Sequence, residues 1–130
     1  MSLGFVLGAA IAAAAPAAGT DAIPPRVVPA ATDRQGVLRV ADALASRGRH
    51  AEAVALIEAL APEDRASADA RFAKAVLLID LGRAIEAERL LAVLVDEQPA
   101  ATRIRLEHGR ALALRGRLGA AERQLRRALA

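Results

Sequence analysis

Over its last three quarters the chain repeats itself at an interval of 34 residues, and this restricts it to stacked copies of one small unit. Gly48, Gly82 and Gly116 share that spacing, and each is followed by an arginine (Arg49, Arg83, Arg117). Four residues before each glycine stands a leucine (Leu44, Leu78, Leu112), and seven before it a small residue (Ala41, Ala75, Gly109). Five residues after it comes an alanine (Ala53, Ala87, Ala121). Nine after it come Ile57, Leu91 and Leu125, and twelve after it Leu60, Leu94 and Ala128. A single glycine spacing arises by chance, but so many columns in one register do not.

The columns describe two helices. A small residue followed three positions later by an apolar one marks one face of a first helix, and alanine followed by apolar residues four and seven positions on marks a face of a second. The Gly-Arg pair between them closes the first helix, since glycine tolerates the left-handed backbone that helix ends often require. The small columns predict close approach of paired helices, and the apolar columns fill the space between pairs. Pro99 is expected to end the second helix of the middle unit, and Pro62-Glu63-Asp64 to do the same in the first. Composition agrees with an all-α chain. The 130 residues are 55 % hydrophobic but only 2 % aromatic, with Phe5 and Phe72 and no Trp or Tyr. The core is therefore Ala, Leu, Val and Ile, which suits close-packed helices better than β-rich folds.

A helix–turn–helix unit of this length with these columns resembles the tetratricopeptide repeat family. Leu77 to Pro99, LLIDLGRAIEAERLLAVLVDEQP, carries most of the pattern in one run. The resemblance covers Arg34 to Ala130 as units 34–67, 68–101 and 102–130. It departs from the family at the large early position, where Val37, Arg71 and Arg105 replace an aromatic residue, and Leu stands where Tyr is common. The family fold implies a right-handed superhelical solenoid whose concave face is lined by first helices. By position, that face presents Gln35, Leu38, Asp42 and Ala45 from unit one, and Asp69, Phe72, Val76 and Ile79 from unit two. Unit three contributes Arg103, Leu106, Arg110 and Ala113. The implied role is protein–protein interaction without catalysis, and the implied ligand is an extended apolar polypeptide segment with an acidic end.

The first 33 residues are of another kind. Leu3 to Ala18 carries no charge, and Ala15-Pro16-Ala17 offers a small-residue cleavage site, so residues 1–22 read as a secretory signal peptide. The amino-terminal region lacks Lys and Arg, and a membrane anchor is the alternative. Residues 23–33 hold three prolines and read as an extended linker. The expected location is periplasmic or secreted.

Charge is unevenly placed: residues 1–33 carry −1, 34–101 carry −2 and 102–130 carry +6. An arginine-rich end suits an acidic protein or an anionic lipid. Nucleic acid is disfavoured, since no aromatic stacking platform or readout motif is present. The 34-residue register would carry the last helix beyond Ala130 and then add a polar cap. Leu118, Leu125, Ala128 and Leu129 are therefore expected to be partly uncovered, pointing to the front of a longer protein or to docking, including self-association. The run Gln98 to Ala130 also resembles the last periplasmic repeat of surface lipoprotein assembly modifiers, outer-membrane proteins in which such repeats precede a β-barrel. That resemblance implies the amino-terminal periplasmic domain of a barrel protein as the alternative function.

The sequence excludes several chemistries. There is no cysteine, hence no disulfide, thiolate site or cysteine nucleophile. His50 and His108 fall in separate units, whereas a metal site needs three or four converging ligands. No H-E-x-x-H, G-x-S-x-G or phosphate-binding glycine loop occurs. No catalytic residue, metal or cofactor is expected.

Overall fold

The computed structural model describes residues 33–130. The expected leader, and all of the linker but its last residue, lie outside the described residues. Within them the chain is helical, with seven helices and no strand.

The first helix, α1 (Arg34–Ser46), starts where Asp33 accepts a hydrogen bond from the Gly36 N–H at 3.1 Å. Such a cap satisfies one of the donors that a helix start leaves unpaired. After Gly48 comes α2 (His50–Glu58), then a single turn, α3 (Pro62–Arg65). The next helix, α4 (Ala68–Asp80), is capped by Ser67, whose Oγ accepts from the Ala70 N–H at 3.2 Å and donates to the Asp64 carbonyl at 2.7 Å. Beyond Gly82 runs α5 (Ala84–Glu97), and after Pro99 come α6 (Thr102–Leu114) and α7 (Leu118–Leu129).

The glycine column has a geometric cause. Gly48, Gly82 and Gly116 have φ of +78°, +81° and +77°. At each site the glycine N–H donates to the carbonyl three residues back, and the following arginine N–H donates to the leucine carbonyl five residues back. The second set of bonds is Arg49 to Leu44 at 2.9 Å, Arg83 to Leu78 at 2.8 Å and Arg117 to Leu112 at 2.9 Å. This paired bonding is the Schellman ending of a helix, and its left-handed residue favours glycine. The leucine and glycine columns are thus tied together by one hydrogen-bonded turn.

Pro62 acts differently from expectation. It does not close α2, which stops at Glu58; it stands at the first position of α3. There its missing N–H costs nothing and its fixed φ suits a helix start. The Glu58 carbonyl, which a residue at position 62 with an N–H could have bonded, instead accepts from the Arg65 guanidinium at 3.0 Å. Pro99 matches expectation more closely: α5 ends at Glu97, and Gln98 before the proline has left the helix, with φ −134° and ψ 69°.

The helices pack as pairs, α1 with α2, α4 with α5 and α6 with α7, and consecutive pairs meet through α2 against α4 and α5 against α6. One core cluster joins Val37, Ala41, Ala53, Val54, Ile57 and Leu60 of the first pair to Ala70 and Leu77 of α4. A second joins Leu78, Leu91, Leu94 and their neighbours to Ile104 and Ala111 of α6. The small column does bring helices close: a Cβ added at Gly109 would lie 2.9 Å from Leu125 Cδ2 and Cγ. At the position where the resembled family uses an aromatic residue, Arg71 ties α4 to the end of α5. Its two terminal nitrogens donate to Glu97 at 2.7 and 3.0 Å, and this bond holds the Glu97 carboxyl below its usual pKa.

Candidate functional site

The first helices of the pairs, α1, α4 and α6, adjoin one another, since α4 touches both α1 and α6. On one side they enclose a cavity of about 270 Å³. Its walls are Leu38, Asp42 and Ala45 of α1, Phe72, Val76 and Asp80 of α4, and Arg103 of α6, over a floor of Ala41, Ala73 and Leu77. Leu38, Phe72 and Val76 are half-buried, so apolar surface stays accessible in the hollow. The short alanines at 41, 45 and 73 create the space: a larger side chain at any of them would fill it.

Polar groups sit at the two ends. At one, the guanidinium carbon of Arg103 lies 5.3 Å from the centre of the Phe72 ring, a cation–π contact between α6 and α4. Among the described residues Arg103 forms no ion pair with a carboxylate, so its charge is open to a ligand. At the other, Asp80 meets Arg110 at 2.8 Å, while His50 Nε2 stands 3.6 Å from its second oxygen. The hydrogen bond that Arg110 donates to Asp80 strengthens the hold of Arg110 on its proton. Arg110 also reaches Glu107 at 3.3 Å. A shallower hollow of about 230 Å³ lies beyond Phe72 and Arg103, between Asp69, Gln98, Ala101 and Ile104.

The residues expected on the concave face divide into three groups. Leu38, Asp42, Phe72, Val76 and Arg103 line the main cavity together with Ala45, and Asp69 lines the second hollow. Gln35, Leu106 and Arg110 line neither: Gln35 donates to Asp69 at 3.3 Å, Leu106 is exposed at 38 %, and Arg110 is engaged by Asp80 and Glu107. Ala113 is exposed outside both. Ile79 is a correction. It is only 3 % exposed and belongs to the core cluster with Ala75 and Leu78, because positions i, i+3 and i+4 of α4 all turn inward. Asp80, by contrast, was missed. Its column holds Ser46 in unit one and Leu114 in unit three, so the repeat carries no chemical signal there.

The positive charge expected on the third unit is offset only in part, by two carboxylates from outside it, Asp80 and Glu88. Arg115 and Arg117 both engage Glu88, Arg126 engages Glu122, and Arg105 donates to the Pro99 carbonyl at 3.0 Å and to Gln124 at 3.2 Å. His108 is 8 % exposed, and neither ring nitrogen has a hydrogen-bond partner among the described residues. Burial pushes its pKa below the usual histidine value. Among the described residues no three His, Asp or Glu side chains are grouped to hold a metal ion, and no helix is long and apolar enough to cross a membrane.

No curated protein matches the chain. Nothing in the comparisons supports the link to surface lipoprotein assembly modifiers. A family model described as Tetratricopeptide repeat matches residues 44–104, from the end of α1 into α6, and with the helical pairs and their glycine turns it supports a tetratricopeptide repeat protein.

Proposed function

We propose that this chain is a non-catalytic interaction module that binds a polypeptide segment in the hollow formed by α1, α4 and α6. Tetratricopeptide repeats generally mediate binding to other proteins or peptides. The observation that carries the reading is the cavity itself: apolar Leu38, Phe72 and Val76 beside Arg103, a cation without a carboxylate partner among the described residues. The ligand is an apolar stretch with an acidic group placed at Arg103. Burying the apolar part supplies affinity, and the charge sets its direction. Arg110, engaged by two carboxylates, has no part in this. The helical pairs wind as a right-handed solenoid with this hollow on its concave side. The protein works outside the cytoplasm, in the periplasm or secreted, on the strength of the uncharged leader at residues 3–18.

The test is selection of a displayed random peptide library on the full chain, followed by counter-selection on Val76→Arg. A half-buried valine in the wall becomes a long cation that fills the hollow. Enriched peptides with paired apolar residues and an Asp or Glu, lost on the variant, are expected. Peptides that bind the variant equally well overturn the groove as the binding site.

A further inference from the structure

Helix α7 carries counterparts of the residues that α5 uses to hold the next pair; among the described residues Leu125 is partly covered by Gly109 of α6, and no helix covers Leu129 or Glu122. In α5, Leu91 and Val95 are buried within the cluster that includes Ile104 and Ala111 of α6. The Glu88 carboxylate is held there by Arg115 and Arg117, the latter at 3.0 Å, with only 14 % of its side chain exposed. The counterparts in α7, 34 residues on, are Leu125, Leu129 and Glu122. They are 37 %, 81 % and 66 % exposed respectively, the last value being for the side chain.

At the opposite end of the stack, α1 repeats the side of α6 that does the covering. Ala43 matches Ala111, Arg47 matches Arg115 and Arg49 matches Arg117, each 68 residues apart. Ala43 is exposed whereas Ala111 is fully buried. Arg47 has no carboxylate partner among the described residues.

We infer that the chain associates head to tail with a second copy of itself, α1 of one molecule covering α7 of the next. Arg47 takes the place at Glu122 that Arg115 takes at Glu88, while Arg49, the counterpart of Arg117, is already engaged by Glu52. The contact lies away from the groove, so it leaves peptide binding intact. Because it joins two different surfaces it does not close on itself, and each dimer keeps one free end of each kind to extend.

The experiment is sedimentation velocity on the full chain over a concentration series reaching about 1 mM, the range in which even weak contacts register. Two variants at exposed positions accompany it. Glu122→Arg spoils the tail by setting like charge against Arg47, and Ala43→Arg spoils the head by bulk and charge. Circular dichroism confirms that both keep the parent helix content. The parent chain is expected to form species larger than a dimer, and each variant alone to lose association by tenfold or more. An equimolar mixture of the two is expected to stop at a one-to-one dimer, since only one intact head and one intact tail remain. A parent chain that stays monomeric overturns the proposal, as it would if residues 1–32 or a further segment covered α7. So does association untouched by either variant, or association lost in Glu122→Arg but retained in Ala43→Arg, the mark of α7 pairing with α7.

Discussion

The Arg103 guanidinium on α6 stands over the Phe72 ring on α4, 5.3 Å from its centre, and so joins the second and third helical pairs at the mouth of the groove. An exposed cation–π contact contributes about 0.5–1 kcal/mol. Arg103→Glu is therefore expected to lower stability by no more than about 1 kcal/mol while weakening acidic-ended peptides at least tenfold. Fluorescence anisotropy with a labelled peptide from the selection measures the second effect, and thermal denaturation the first. Arg110→Glu, which disturbs a cation already engaged by Asp80 and Glu107, is expected to change peptide affinity far less.

The glycine turns make a backbone prediction. At Gly82 an added Cβ meets nothing within 4 Å, but φ is +81°. Gly82→Ala is thus destabilising through the left-handed backbone alone, by about 1–2 kcal/mol. Gly119, in the first turn of α7, has ordinary φ and only Arg123 Nη1 at 3.8 Å from an added Cβ. Gly119→Ala is expected to stabilise by about 0.5 kcal/mol through the reduced entropy of the unfolded chain. Urea titrations followed by circular dichroism separate the two signs.

At Gly109 the limit is space. Its added Cβ overlaps Leu125, so Gly109→Ala forces α6 and α7 apart and costs about 1–3 kcal/mol, outweighing the helix preference of alanine. Leu125→Ala removes the overlapping atoms. A double-mutant cycle is expected to show the pair less destabilised than the sum of its parts.

His108 makes stability depend on pH. Burial lowers its folded-state pKa, so the folded chain keeps the ring neutral while the unfolded chain takes up a proton at about the ordinary value of 6.5. Its contribution is therefore fully present above pH 6.5 and lost as pH falls from there towards the folded-state value. The denaturation midpoint is expected to drop across that window in the parent chain, and the drop to shrink in His108→Leu.

What the sequence made legible was whatever the repeat forced to recur. The glycines at 48, 82 and 116 occur because each first helix ends in the same left-handed turn, and their spacing shows in the letters. The close approach at Gly109 was foreseeable for the same reason. What stayed hidden depended on single positions. Pro62 fits equally well as the stop of one helix or the start of another, and only the backbone decides. Ile79 is apolar whether it lines a hollow or fills a core, so composition at that position carried no information. The +6 of the last 29 residues is a formal sum. Glu107 and Glu122 are already counted in it, and Glu88 and Asp80 offset two more charges through contacts whose partners are 27 to 30 residues apart.

The most direct measurement is a two-dimensional amide NMR titration of the full, isotope-labelled chain with an unlabelled peptide from the library selection. Binding in the groove predicts concentration-dependent shifts concentrated at Leu38, Asp42, Phe72, Val76 and Arg103, with α7 beyond Ala121 unaffected. Shifts concentrated on α7 or on the outer faces of α2 and α5, with the groove amides unmoved, would contradict it.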